Sequence, residues 1–216
     1  MIQKYLEAGV RLKWNAPAAT QQALDGAIVD NRGVTSTMTY DGLDGELINS
    51  SFMLTNVGTL GFTMGMSIQH IWLDYNQGRT SRCAGGRDVL TGFMSGCIIA
   101  RWTQGGATYV GHVGTLVGNA RVNTLVKNTF LATVGNNVTG FNPAAAWNQG
   151  ECDAIANKFK RKPTGKVMAL VSSTGKFFSI LMLQLDWTKP DEWCVGGIKR
   201  VPAMNKAALT IEMNKM

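Results

Sequence analysis

At 216 residues, with 45% apolar and 16% charged side chains, the chain can bury one sizeable core, and a single catalytic domain over 1–216 is expected. Its net charge of +7 is mostly scattered, and the densest run, Lys158-Phe-Lys160-Arg-Lys162, reads as a solvated basic face. A nucleic-acid stripe would gather its basic residues on one face among aromatics, so no nucleic acid is expected as a partner.

Abundant Gly (25) and scarce Pro (5) break short apolar runs into many strands and turns. In chain order, strands are predicted at Thr35–Tyr40, Glu46–Leu54, Thr59–Met64 and Met66–Leu73. Residues 50–73 carry no formal charge and contain Gly61 and Gly65 in a GxxxG spacing. Thr55, Asn56, Thr59, Thr63, Ser67, Gln69 and His70 interrupt that run, so buried strands are expected there and no membrane span. A hairpin follows over 97–113, then a helix from Ala120 to Thr133 with an apolar stripe of Val122, Leu125, Val126, Leu131 and Ala132, stopped at Gly135-Asn136. A short helix is predicted over Glu151–Lys160. Lys166–Val171 and Lys176–Leu185 form a second hairpin whose arms are apolar enough to be buried on both faces. A strand at Trp193–Val201 and a polar tail close the chain. The fold class is α+β: a mixed or antiparallel β-sandwich core with flanking helices.

The chemistry-bearing residues lie in the first hairpin. Thr91-Gly-Phe-Met-Ser-Gly-Cys97 is followed, fifteen residues after the cysteine, by Gly111-His112-Val-Gly-Thr115. With Gln104-Gly105 as the loop, Cys97 lies opposite His112; with Gly105-Gly106, His112 faces Ile99 and Cys97 sits diagonally across. Directly opposed side chains have Cβ atoms about 4.5–5.5 Å apart, within reach of a thiol–imidazole contact. An imidazole that shares or takes the thiol proton makes the sulfur a nucleophile. Gly96 permits a tight entry that presents amide N–H groups to an oxyanion. His112 then serves as general base and later as acid, oriented by the Thr91 hydroxyl or by a main-chain carbonyl.

Each of these residues also has a plain structural reading. Cysteine is among the most buried residue types, so Cys83, Cys152 and Cys194 are read as core. The four cysteines contain no CxxC, which speaks against a small disulfide scaffold and for a reduced working compartment. Zinc on Cys83, Cys97 and His112 would lack the usual close ligand spacing, so no zinc site is expected. His70 reads as a packed strand histidine, and the Met-rich stretch near 64–66 as core filling. Asn49-Ser-Ser and Asn137-Val-Thr fit a glycosylation triplet that is common by chance.

Met94-Ser95-Gly96-Cys97 and Gly111-His112-Val113-Gly114-Thr115 together resemble the Cys-His protein-glutamine deamidases. These include the cytotoxic necrotizing factor catalytic domains, the Burkholderia lethal factor and, more distantly, the chemoreceptor glutamine deamidases. The toxins carry Ser-Gly-Cys after an apolar residue, and the necrotizing factors a His-x-Gly-Thr-like segment some fifteen residues on, with valine where Gly111 stands here. The lethal factor and the chemoreceptor enzymes place a threonine six residues before the cysteine, as Thr91 is. The match covers about 25 of 216 residues.

The resemblance implies a deamidase-toxin-like α+β sandwich with catalytic Cys97, His112 and Thr91, and with Ser95 and Gly96 shaping the site. It implies hydrolysis of a glutamine side-chain amide on a protein substrate, for example a host GTPase or a translation factor, by a monomer without metal or organic cofactor. A stand-alone domain with no Sec-type signal fits a secreted effector working in host cytosol, and otherwise a cytoplasmic protein. Transglutaminase or amidase chemistry at the same thiol, and a basic non-enzymatic binding protein, are the competing expectations.

Overall fold

The computed structural model describes residues 2–13, 23–31, 35–43, 66–186 and 188–216. The predicted strands Glu46–Leu54 and Thr59–Met64 lie outside the described residues, as do Asn49 and most of the uncharged run. No helix among the described residues is long and apolar enough to cross a membrane.

The fold is α+β, built from two sheets. Strands β1 (Val10–Lys13), β3 (Thr35–Leu43), β4 (Met66–Trp72), β6 (Val89–Met94), β10 (Lys162–Val171), β11 (Phe177–Asp186) and β12 (Lys189–Val201) close into a barrel in the order β1-β12-β11-β10-β6-β4-β3. The second sheet is open and ordered β13-β9-β7-β8-β5-β2, from β13 (Met204–Asn205), β9 (Thr139–Phe141), β7 (Ile98–Gln104), β8 (Ala107–Val113), β5 (Thr80–Ala84) and β2 (Ile28–Asp30). One parallel pair occurs in each, β4–β6 in the barrel and β2–β5 in the sheet.

Alternation along the strands fills three apolar layers. Leu90, Met168, Leu170, Ile180 and Met182 point into the barrel. Their neighbours Val89, Val167, Ala169, Val171 and Leu181 point out, against Cys83, Cys97, Ile99 and Val110 of the sheet. This is why the β10–β11 arms are apolar on both faces: one face fills the barrel and the other meets the sheet. The far face of the sheet, Ile98, Ala100, Trp102 and Val113, is covered by helices α1 (Ala120–Thr133) and α3 (Lys206–Lys215). Helix α2 (Gln149–Lys158) packs Ala156 against the barrel near Leu183 and Cys194.

The three α-helices among the described residues each begin at an asparagine whose side chain accepts from an amide in the first turn: Asn119 from Val122, Asn148 from Glu151 and Asn205 from Ala208. The expected polar tail is therefore a helix instead. Leu209 and Met213, four residues apart, are fully buried on one side of it, and its other sides are polar enough to hide the stripe. Beyond the strands predicted, the sheet also uses β2, β5, β9 and β13, and the barrel β1 and β6.

Candidate active site

The hairpin register decides where Cys97 and His112 meet. Gln104 pairs with Ala107, which leaves Gly105 and Gly106 as the loop, with φ of 59° and 78°. Both central residues of such a turn need positive φ, which two glycines supply and Gln104 would resist. The Gln104-Gly105 alternative is thereby corrected: His112 faces Ile99 on β7 and Ser81 on β5, and Cys97 is diagonal to it, two residues before Ile99.

Cys97 ends a short link, Ser95-Gly96-Cys97, that carries the chain from the barrel into the sheet. Within β6, Ala169 opposes Thr91 and Val167 opposes Met94, so three steps along β6 match two along β10. This bulge lets strand β6 leave the barrel towards β7. Thr91, 1% exposed, reaches His112 in the sheet, and Thr91 Oγ1 lies 2.6 Å from His112 Nδ1. A proton on Nδ1 donated to Thr91 leaves the Nε2 lone pair open, and Nε2 is buried without a hydrogen-bond partner. Total burial holds the His112 pKa down at about 3, so the imidazole is neutral at physiological pH.

The polar neighbour of the sulfur is a different residue. Cys97 Sγ lies 3.7 Å from Thr115 Oγ1, and that hydroxyl donates to Gly96 O at 3.1 Å. Tyr75 Oη donates to Thr115 O, and the Tyr75 ring stands 5.2 Å from the His112 ring, centroid to centroid. Burial pushes the Cys97 thiol up, and the side chain and main chain of Thr115 pull it partly back. Desolvation, followed by the nearness of Cys97, raises Tyr75 to about 12.

A cavity of about 660 Å³ opens over this sulfur, with Tyr75, Phe93, Ser95, Cys97, Thr115 and Lys166 in its wall. Gly96 lines it too, and a Cβ there would meet nothing within 4 Å. His112, with no exposed surface, lies behind the wall.

Five sequence-derived site residues therefore gather here in two sets. Thr91 and His112 form a buried pair, and Cys97, Ser95 and Gly96 form the cavity wall. Cys97 and His112 share the layer between sheet and barrel without a hydrogen bond between them. Two glycines hold β8 in place. A Cβ on Gly111 would fall 2.7 Å from the Trp102 ring, and one on Gly114 would fall against Asn76 O. Gly114 N donates to Arg79 O and Gly78 N to Gly114 O, each at 2.9 Å, which pins the residue that carries the chain into Thr115.

Sequence reasoning quoted Thr115 in the His112 segment without giving it a role, and it missed Tyr75. Thr115 stands in the same segment as His112, and its proximity in sequence was the available signal. Tyr75 had none, since it reaches the site from another part of the chain. Asn123 of α1 holds the next rim residue, accepting from Leu116 N at 2.7 Å and donating to Leu116 O at 2.8 Å.

The remaining cysteines are buried and free. Among the described residues, no three His, Cys, Asp or Glu side chains converge as a metal site. No family model, curated protein or solved structure matches the chain.

Proposed function

We propose that the protein is a thiol-dependent acyl-transfer enzyme that deamidates a glutamine side chain on a protein substrate, with Cys97 as nucleophile. The observation that carries this reading is a nearly buried thiol in the wall of a cavity large enough for a side chain and its flanks, beside a buried Thr91–His112 pair. The resemblance in Met94–Cys97 and Gly111–Thr115 supports glutamine as the amide and an effector acting on host proteins as the setting.

In this mechanism, Cys97 Sγ attacks the carboxamide carbon while its proton passes to neutral His112 at Nε2. Cys97 and His112 share no hydrogen bond in the resting structure, so this step requires that contact to form when substrate closes the site. Amides of the 95–97 link hold the tetrahedral oxyanion. Collapse returns the proton to the leaving nitrogen, releasing ammonia and a thioester. Water adds to the thioester, glutamate leaves, and the thiol is restored. The net change is one water consumed, one ammonia released and one carboxylate formed.

A structural role for both residues is favoured by one observation, the complete burial of His112. Peptide mass spectrometry of lysate proteins treated with the wild-type chain or with Cys97→Ser separates the readings. Glutamine-to-glutamate changes that need Cys97 support deamidation, and amine adducts at the same glutamines assign a transglutaminase. No Cys97-dependent product, together with no selective labelling of Cys97, assigns the structural role.

A further inference from the structure

Thr115 makes more of the contact with the sulfur than the histidine does. Its hydroxyl lies 3.7 Å from Cys97 Sγ, and its hydrogen is given to Gly96 O. Three sets of bonds then immobilise the residue. Tyr75 Oη donates to its carbonyl, Gly114 before it is bonded to both Gly78 and Arg79, and Leu116 after it is clamped by both ends of the Asn123 amide. These bonds fix the main chain that carries the side chain, and the hydroxyl's own bond to Gly96 O sets its direction against the sulfur.

We propose that Thr115 is the positioning residue for the Cys97 thiolate: its hydroxyl accepts from the thiol in the resting state and, once the thiol proton has left, turns its own hydrogen from Gly96 O to the sulfur. The hydroxyl has one hydrogen and two lone pairs, so it can serve both states without moving its oxygen. In the resting state the hydrogen goes to Gly96 O, and a lone pair faces the S–H. After ionisation the sulfur is a charged acceptor and the Gly96 carbonyl a neutral one, so the hydrogen prefers the sulfur, because bonds to charged groups are the stronger. The proton leaving Cys97 goes to the base, His112 or water; Thr115 exchanges one hydrogen bond for another, and none of its covalent bonds forms or breaks. The opposed influences of burial and Thr115 on the thiol agree with this role.

The proposal rests on Cys97 being a reactive thiol and not on the identity of the amide, so it is tested without a substrate. Iodoacetamide labelling of the full chain is followed against pH, reading the Cys97 peptide by mass spectrometry, for wild type, Thr115→Val and Thr115→Ser. Labelling of the buried Cys83 peptide in the same samples reports any loss of fold. Thr115→Val is expected to slow Cys97 labelling about ten-fold at neutral pH and to move its midpoint up by about one pH unit, with Cys83 still protected. Thr115→Ser keeps the hydroxyl and should stay within about two-fold of wild type. If valine unprotects Cys83, Thr115→Ala replaces it under the same expectation. An unchanged midpoint in a folded hydroxyl-less variant overturns the proposal, and so does a serine variant that shifts as far as valine. If the labelling behaves as expected while no glutamine is modified, the thiolate device stands and the deamidase reading falls.

Discussion

Cys83 and Cys97 face the same apolar layer between sheet and barrel, and burial treats them almost alike, at 7% and 6% exposed. Their surroundings do not. Cys83 sits within β5 opposite Val110, where desolvation alone pushes its thiol up to about 12. Cys97 ends the link between the two sheets, in a cavity wall, with Thr115 working against the same desolvation. A sulfur on a regular strand is enclosed by strand neighbours, whereas a sulfur at a crossing between sheets meets loops from several directions. Low exposure by itself therefore does not tell the two thiols apart; a hydrogen-bond partner and an open side do.

The largest expected effect tests that contrast directly. Cys97→Ala should abolish glutamine modification, by roughly 10³-fold or more. Cys83→Ala should keep the rate within about two-fold and lose about 1 kcal/mol of stability to the small void it leaves. Equal losses of rate in the two variants would break the comparison.

His112→Ala comes next. Loss of a general base is expected to cost roughly 10²–10⁴-fold in kcat, measured by ammonia release, with little change in KM. Gly114→Ala sharpens the structural side. Its Cβ would collide with the Asn76 carbonyl, so about 1–3 kcal/mol of stability should be lost in urea unfolding. Selective labelling of Cys97 should go with it as Thr115 moves, while Cys83 stays protected. A variant with wild-type stability would show that the 114–115 turn is softer than its bonds indicate.

The last effect is on pH, and it is absent at neutrality. His112 is held down near 3 in the fold and titrates near 6.5 when unfolded, so between those values the unfolded chain binds the extra proton. Stability is therefore unaffected above 6.5 and falls as pH drops through the window towards 3. The slope is at most about 1.4 kcal/mol per pH unit. His112→Gln should flatten it, as read from urea midpoints between pH 6.5 and 4. Equal slopes in the two proteins would mean that His112 becomes charged without unfolding.

Legibility in the sequence followed how local each signal was. Helix α1 spans the predicted Ala120–Thr133, but of the expected stripe only Val122 and Val126 are buried: Phe130 completes that face at four-residue spacing, while Leu125 and Ala132 are exposed. The β7–β8 hairpin was readable from two runs around Gly-Gly, though its register waited on which two residues take positive φ. Thr91, Ser95, Gly96, Cys97 and His112 all stood out, since the residue types that do thiol chemistry are few. Helix α3 was missed because its buried stripe is only Leu209 and Met213 in an otherwise polar stretch. Closure of one sheet into a barrel was equally hidden: β4 and β6 pair in parallel and β1 pairs with both β3 and β12, and none of that leaves a short-range trace.

By itself, then, the sequence determined the α+β class, the hairpin and a short list of candidate site residues, because periodicity, turn chemistry and side-chain chemistry are properties of neighbouring residues. Only the tertiary structure decided who partners whom. It joined His112 to Thr91 across the gap between sheet and barrel and brought Tyr75 and Thr115 to the sulfur. It also opened the cavity on the Cys97 side of the wall and left His112 behind it. Such pairings depend on how two sheets stack and where the chain crosses between them, and that is settled by burial summed over the whole core.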